Sequence, residues 1–212
     1  MTPTVDTRRE PPIVYVVDDD PSILEWITAV VESIQLPVRS FSSAHDLLDA
    51  FTPERSGCVV TDLRMPRMSG LELQERLNEL GSVCPVILIS GHGEVSAAVR
   101  AMKAGAIDFL EKPFSAQELI DRINRAIALS ASRARERSTR LAVRGRFARL
   151  TEREREALRG IVDGKANKVM AVELGIAEKT VEDRRARVMR KMEANSVAEL
   201  TRMVIECELL PE

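Results

Sequence analysis

The chain has 212 residues, more than one ordinary domain and suited to two modest ones, and its 44% hydrophobic and 30% charged residues are those of a soluble globular protein with a buried core. No apolar stretch approaches the roughly 18 residues that a bilayer crossing needs, and MTPTVDTRRE lacks the apolar core of a signal peptide, so a cytoplasmic protein without membrane contact is expected. The net charge of −2 hides an asymmetry: residues 1–130 hold 12 basic against 19 acidic side chains, 133–149 hold seven arginines against Glu136 alone, and 150–212 hold 12 basic against 13 acidic.

Taken in chain order, Ile13–Val17 is a short β-branched run that ends in Asp18, Asp19 and Asp20, as a strand buried on both faces would. Pro21 at a first turn after Asp20 opens a helix, Leu36–Phe41 is a weaker strand, and Ser43 opens a second helix. Val59–Thr61 runs into Asp62, and Leu71, Leu73, Leu77 and Leu80 give an amphipathic third helix. Pro85–Ile89 runs into Ser90, Val95 to Met102 reads as a fourth helix, and Ile107–Leu110 precedes Lys112. Ser115 and Glu118 form a capping box ahead of a fifth helix that nothing stops before Gly145. The arginine-rich stretch, which this helix carries for most of its length, reads as a solvated helical linker or as a contact with an anionic partner; charge alone favours the linker. Cys58, Cys84 and Cys207 are odd in number, far apart and set in apolar runs, so buried thiols are expected.

Alternating strands and helices with right-handed crossovers imply an α/β fold, a doubly wound five-stranded parallel sheet with its strand carboxyl ends along one edge. That edge collects Asp18, Asp19, Asp62, Ser90 and Lys112. Carboxylates 4 Å apart repel by about 4 kcal/mol per pair at an effective dielectric of 20, and a hard divalent cation such as Mg²⁺ relieves this. A carboxylate nucleophile with Mg²⁺, a hydroxyl and an ammonium suits receipt of a phosphoryl group. Taken singly, the residues have plainer readings: the Asp18–Asp20 run as a helix cap with solvated charge, Asp62 as a strand-end cap, Phe109 and Trp26 as packing residues, His92 as a loop histidine.

IVYVVDDDPS, VVTDLRMPRMSG, ILISGHGEV and AMKAGAIDFLEKPF resemble, in order and spacing, the receiver domain of two-component response regulators, a CheY-like, flavodoxin-like fold, over residues 11–130. The resemblance implies that Asp62 is the phosphoacceptor, and that Asp18, Asp19, Asp62 and the backbone carbonyl of Arg64 hold Mg²⁺. It further implies that Ser90 and Lys112 bind the phosphoryl group, that Phe109 is an aromatic switch, and that Lys112-Pro113 is cis. Ser90 stands where the family commonly has threonine and keeps the hydroxyl.

After the arginine-rich segment, 131–148, the pattern is all-helical over 149–212. Thr151 with Glu154 and Ser196 with Glu199 read as capping boxes, and between them NKVMAVELG and EKTVEDRRARVMRKM read as helix, glycine turn, longer helix. Projection at 100° per residue puts Val181, Arg185, Val188 and Met192 on a core face and Lys179, Glu182, Asp183, Ala186, Arg187 and Arg190 opposite. Residues 149–206 are similar to the four-helix, helix-turn-helix DNA-binding domain of LuxR/NarL-type regulators, and most closely to the FixJ-like subgroup. That similarity implies phosphate contacts from Lys165, Lys168, Lys179, Arg187 and Arg190, with Glu182, Asp183 and Ala186 at base edges. Asp183 departs from the usual apolar residue and Arg184 from the usual histidine, which implies an altered sequence preference; Ala177 replaces a common serine cap.

Together these features imply a regulator that is phosphorylated on Asp62 by a sensor histidine kinase, dimerises and binds double-stranded DNA, with no enzymatic turnover beyond slow self-dephosphorylation. Two rivals stand beside it: a Mg²⁺-dependent phosphohydrolase, disfavoured because Arg64 sits where its general acid would stand, and a signalling regulator whose C-terminal half binds protein.

Overall fold

The computed structural model describes residues 11–91 and 105–210 and divides into two compact units, one up to Arg135 and one from Glu136. In the first unit, strands β1 (Ile13–Val17), β2 (Val38–Phe41), β3 (Gly57–Asp62), β4 (Val86–Ser90) and β5 (Asp108–Glu111) form one parallel sheet in the order β2-β1-β3-β4-β5. The doubly wound expectation holds. Strands β3, β4 and β5 each end one residue beyond the expected run, because ladder hydrogen bonds extend past the last apolar side chain, and β2 begins two residues later than expected.

Helices α1 (Pro21–Ser33), α2 (Ala44–Ala50), α3 (Gly70–Glu79) and the first part of α4 (Ala116–Ala148) complete the described part of this unit. Alternate strand residues face opposite sides and build two cores. Tyr15, Val17, Val59 and Leu88 pack with Leu47 of α2 and Leu73 and Leu77 of α3. Val14, Val16, Val60, Ile87 and Ile89 pack with Ile27 and Val31 of α1 and Leu119 and Ile123 of α4. Each such fully buried side chain contributes about 1.5–3 kcal/mol. The helix expected over Val95 to Met102, and His92, lie outside the described residues.

Capping follows the sequence signals. Asp20 accepts from the Ser22 N–H at 2.8 Å with Pro21 at the first position of α1, and Ser43 accepts from the Asp46 N–H at 3.2 Å. Ser115 accepts from the Glu118 N–H at 3.2 Å while Glu118 takes the Ser115 N–H at 2.8 Å. The helix thus opened is 33 residues long, roughly 50 Å at 1.5 Å per residue. Its arginine-rich part is regular helix. Val143 and Phe147, within the stretch set aside as linker, pack into the core of the second unit.

That unit continues with α5 (Glu152–Val162), α6 (Asn167–Leu174), α7 (Glu178–Met192) and α8 (Val197–Glu206) around Leu158, Ile161, Met170, Val181, Val188, Met192 and Leu200. The Thr151–Glu154 capping box is present. At Ser196 only half of the expected box forms: Ser196 caps the Glu199 N–H, but the Glu199 carboxylate takes the N–H and the amide of Asn195 instead. Gly175 adopts φ 63° in the turn between α6 and α7, a left-handed conformation that costs glycine little. Ala177 offers no side-chain cap to α7. The far end of α7 is pinned instead: Lys191 donates to the buried Glu154 carboxylate at 2.6 Å and to the Arg149 carbonyl at 3.2 Å. All three cysteines are buried and free, as their apolar settings imply.

Candidate functional site

Strand register assembles the first site. Val17 of β1 pairs with Thr61 of β3, so Asp18 and Asp62 leave adjacent strand ends at the same level. Asp62 pairs with Ile89, and Ser90 pairs with Glu111, so the hydroxyl and then Lys112 follow one residue further along β4 and β5. Parallel strands emerging together therefore place two carboxylates, a hydroxyl and an ammonium on one edge.

Lys112 Nζ donates to Asp62 Oδ1 at 2.6 Å and to Asp18 Oδ2 at 3.3 Å. The second oxygen of each carboxylate is held by backbone: Arg64 N–H donates to Asp62 Oδ2 at 2.7 Å and Asp20 N–H to Asp18 Oδ1 at 2.9 Å. Asp18 and Asp62 are 2% and 8% exposed, whereas Asp19 is open to solvent. Burial pushes the Asp18 carboxyl up and the Asp62 charge adds to it; the Asp20 N–H and Lys112 offset this only in part. Burial pulls Lys112 down, but its bond to Asp62 and the charges of Asp62 and Asp18 outweigh that and hold the ammonium above its usual range. The buried Ser90 hydroxyl donates to the Gly91 carbonyl at 3.1 Å rather than to either carboxylate. Phe109 is half-buried against the Tyr15 core, and Lys112-Pro113 is cis as expected.

Among the described residues no three carboxylate, imidazole or thiol groups converge closely enough to cage a metal. Lys112 stands between Asp18 and Asp62. The donor set nevertheless suits a hard cation: two converging buried carboxylates share one ammonium, and the Asp18 charge is poorly compensated.

Gly70 is a positioning residue that sequence reasoning missed. A Cβ there would stand 2.3 Å from the Asp62 carbonyl oxygen and 2.7 Å from Leu88 Cδ2, so only glycine lets α3 start against the end of β3. Its N–H donates to the Leu63 carbonyl at 3.1 Å. The glycine immediately after Ser69, the cap of α3, was the available signal.

The second site is the solvent face of α7. Lys179, Glu182, Asp183, Ala186, Arg187 and Arg190 are all exposed, and Val181, Val188 and Met192 are buried behind them. Arg185 points inward, donating to the Lys165 carbonyl at 3.4 Å, and Arg184 pairs with Glu156 at 3.6 Å with its side chain 12% exposed. Lys168 is exposed on α6; Lys165 is engaged by Glu173 at 2.8 Å and Asp163 at 3.7 Å. Lys179 pairs with Glu182 at 3.2 Å.

A flavodoxin-like sheet with an aspartate–lysine edge, joined in one chain to a helix-turn-helix unit, defines a signalling protein that couples a receiver to a DNA-binding module. Residues 14–124 match the family model described as the response regulator receiver domain, and residues 148–204 the one described as bacterial regulatory proteins, luxR family. The chain is 46% identical over 198 residues to the transcriptional regulatory protein FixJ of Azorhizobium caulinodans, covering 93% of this chain and 94% of that one. It is 42% identical over 192 residues to the response regulator protein TodT of Pseudomonas putida, covering 90% and 84%. The solved structure of the response regulator StyR superposes with a TM-score of 0.81 at 42% identity, covering 93% of this chain and all (100%) of that one. The chain belongs to the response regulators that carry a luxR-family DNA-binding domain, a family of two-component transcription regulators and not of catalytic enzymes. The phosphohydrolase rival falls with that assignment. A receiver domain implies a histidine kinase partner and commonly works with Mg²⁺, and the helix-turn-helix implies DNA binding. No described helix is long and apolar enough to cross a membrane.

Proposed function

We propose that Asp62 accepts a phosphoryl group from the phosphohistidine of a sensor histidine kinase, and that this modification drives dimerisation and DNA binding of a cytoplasmic transcription regulator. One observation carries the reading: a single ammonium, Lys112, is shared between Asp62 at 2.6 Å and Asp18 at 3.3 Å at the carboxyl edge of the sheet. Asp18, Asp19, Asp62 and the Arg64 carbonyl would hold Mg²⁺, which when bound neutralises oxygens of the transferring group. A carboxylate oxygen of Asp62 forms the new P–O bond as the P–N bond breaks, and the departing imidazole nitrogen takes a proton from solvent. Lys112 exchanges its Asp62 oxygen for a phosphoryl oxygen. Ser90 turns its O–H from the Gly91 carbonyl to another, and Phe109 moves into the space the hydroxyl leaves.

In this reading residues 11–130 form the receiver, 131–148 an arginine-rich helical connector and 149–212 the DNA-binding domain. Helix α7 enters the major groove, with Lys165, Lys168, Lys179, Arg187 and Arg190 toward phosphates and Glu182, Asp183 and Ala186 toward base edges. Two such helices in a dimer lie about one duplex turn apart. The test follows molecular size and DNA binding before and after Mg²⁺ and beryllofluoride, with Asp62→Asn as control. A monomer that becomes a DNA-binding dimer only with Asp62 intact supports the switch. No change in size or binding would overturn it.

A further inference from the structure

The α7 face carries two carboxylates, Glu182 and Asp183, where a protein approaching phosphates would be expected to place none. The structure separates the acidic residues of that face by their surroundings. The Glu182 charge is met by Lys179 at 3.2 Å. Among the described residues no hydrogen bond or ion pair engages the exposed Asp183 carboxylate. Arg184 and Arg185, its chain neighbours, are turned away to Glu156 and to the Lys165 carbonyl. At 100° per residue, Lys179, Asp183, Ala186, Arg187 and Arg190 share an arc of about 100°, so Asp183 sits in the middle of the outer stripe with cations on both sides. Ala186 leaves no long side chain one turn further on to hold the stripe away from a surface.

We propose that Asp183 is the specificity-determining residue of α7, accepting a hydrogen bond from a cytosine amino group in the major groove; this rests on the reading above that α7 enters that groove. The chemistry selects the base. A carboxylate only accepts, and guanine N7 and O6 and thymine O4 repel it. Adenine offers N6–H but places the N7 acceptor beside it, whereas the cytosine N4–H stands next to a C–H edge. The flanking Lys179, Arg187 and Arg190 keep the net field of the stripe positive, so a single carboxylate costs some attraction to the duplex and returns selectivity.

The test is selection from a pool of random-sequence duplexes by the full-length protein, with Mg²⁺ and beryllofluoride, using wild type, Asp183→Asn and Asp183→Ala. Wild type is expected to recover sites with cytosine at one fixed position of each half-site. Asp183→Asn is expected to move that position to adenine, since an amide both accepts from N6 and donates to N7. Asp183→Ala is expected to lose about tenfold discrimination there while binding unselected duplex more tightly. The same preferred site for all three proteins would overturn the assignment of Asp183 and leave DNA binding by α7 standing. Recovery of no preferred site by wild type would overturn the groove reading itself, and this inference with it.

Discussion

Asp18 shows how a site residue weakens the fold that carries it. Its carboxyl is buried and held above the ordinary value, chiefly by burial, with only Lys112 and one N–H in compensation. Because the folded value lies above the unfolded one, the native protein binds this proton more readily, and stability falls as pH rises through the window between the two. At pH 7.5 without divalent metal, Asp18→Asn is expected to raise stability, on the order of 1 kcal/mol, since the ionised group no longer needs burial while Lys112 keeps Asp62. The gain should shrink toward pH 4, and Mg²⁺ should stabilise wild type but not the variant. Urea unfolding at both pH values in chelator and in Mg²⁺ measures this; a variant less stable than wild type at pH 7.5 in chelator would contradict it. The residue types of this edge were readable as the ends of apolar runs. The N–H groups of Arg64 and Asp20 and the glycine contact at Gly70 were not, because a backbone donor or a missing Cβ leaves no mark in hydropathy.

At the scale of the element, α7 has an unequal pair of ends. Lys191 fastens its last turn to Glu154 and Arg149, while its first turn follows Ala177, which sits in extended geometry (φ −66°, ψ 145°) with no side-chain oxygen to offer the N–H groups of that turn. A serine there fits the same backbone and can accept from one of those N–H groups, so Ala177→Ser should stabilise the C-terminal unit by about 1 kcal/mol. Unfolding followed by circular dichroism, together with slower amide exchange over residues 179–182, reads the effect. An unchanged midpoint and unchanged exchange would show that the α6–α7 turn already satisfies those donors. The absent cap was visible in the sequence. The half-box at Ser196 was not, since Glu199 can reach either Asn195 or Ser196 and only the local backbone chooses.

At the scale of the whole molecule there are two separately cored units, so unfolding should not be a single two-state event. The chain has one tryptophan, Trp26 on α1, 39% exposed with its ring edge-on to Phe114 at 5.5 Å, so its fluorescence follows the first unit alone. Mg²⁺ with beryllofluoride at a hundredfold excess over its dissociation constant should stabilise that unit by about 2.7 kcal/mol, raising the Trp26 transition by about 10 °C. Heating followed by fluorescence and by far-ultraviolet circular dichroism in parallel tests this; equal shifts in both signals, or a shift that survives Asp62→Asn, would refute a ligand site confined to the receiver. The sequence by itself determined the class: periodicity separates a βα half from an all-helical half, and the run ends name Asp18, Asp62, Ser90 and Lys112, because burial on both faces of a strand forces an uninterrupted apolar run that must stop where solvent begins. It also separated the two faces of α7, since 3.6 residues per turn is a property of the chain. Tertiary structure alone decided which carboxylates share Lys112, that Ser90 bonds Gly91, that Val143 and Phe147 of the arginine-rich helix enter the second core, and that, among the described residues, Asp183 stands unpaired while Glu182 does not. Those are contacts between side chains and backbone set by register and packing, and a linear pattern does not carry distance.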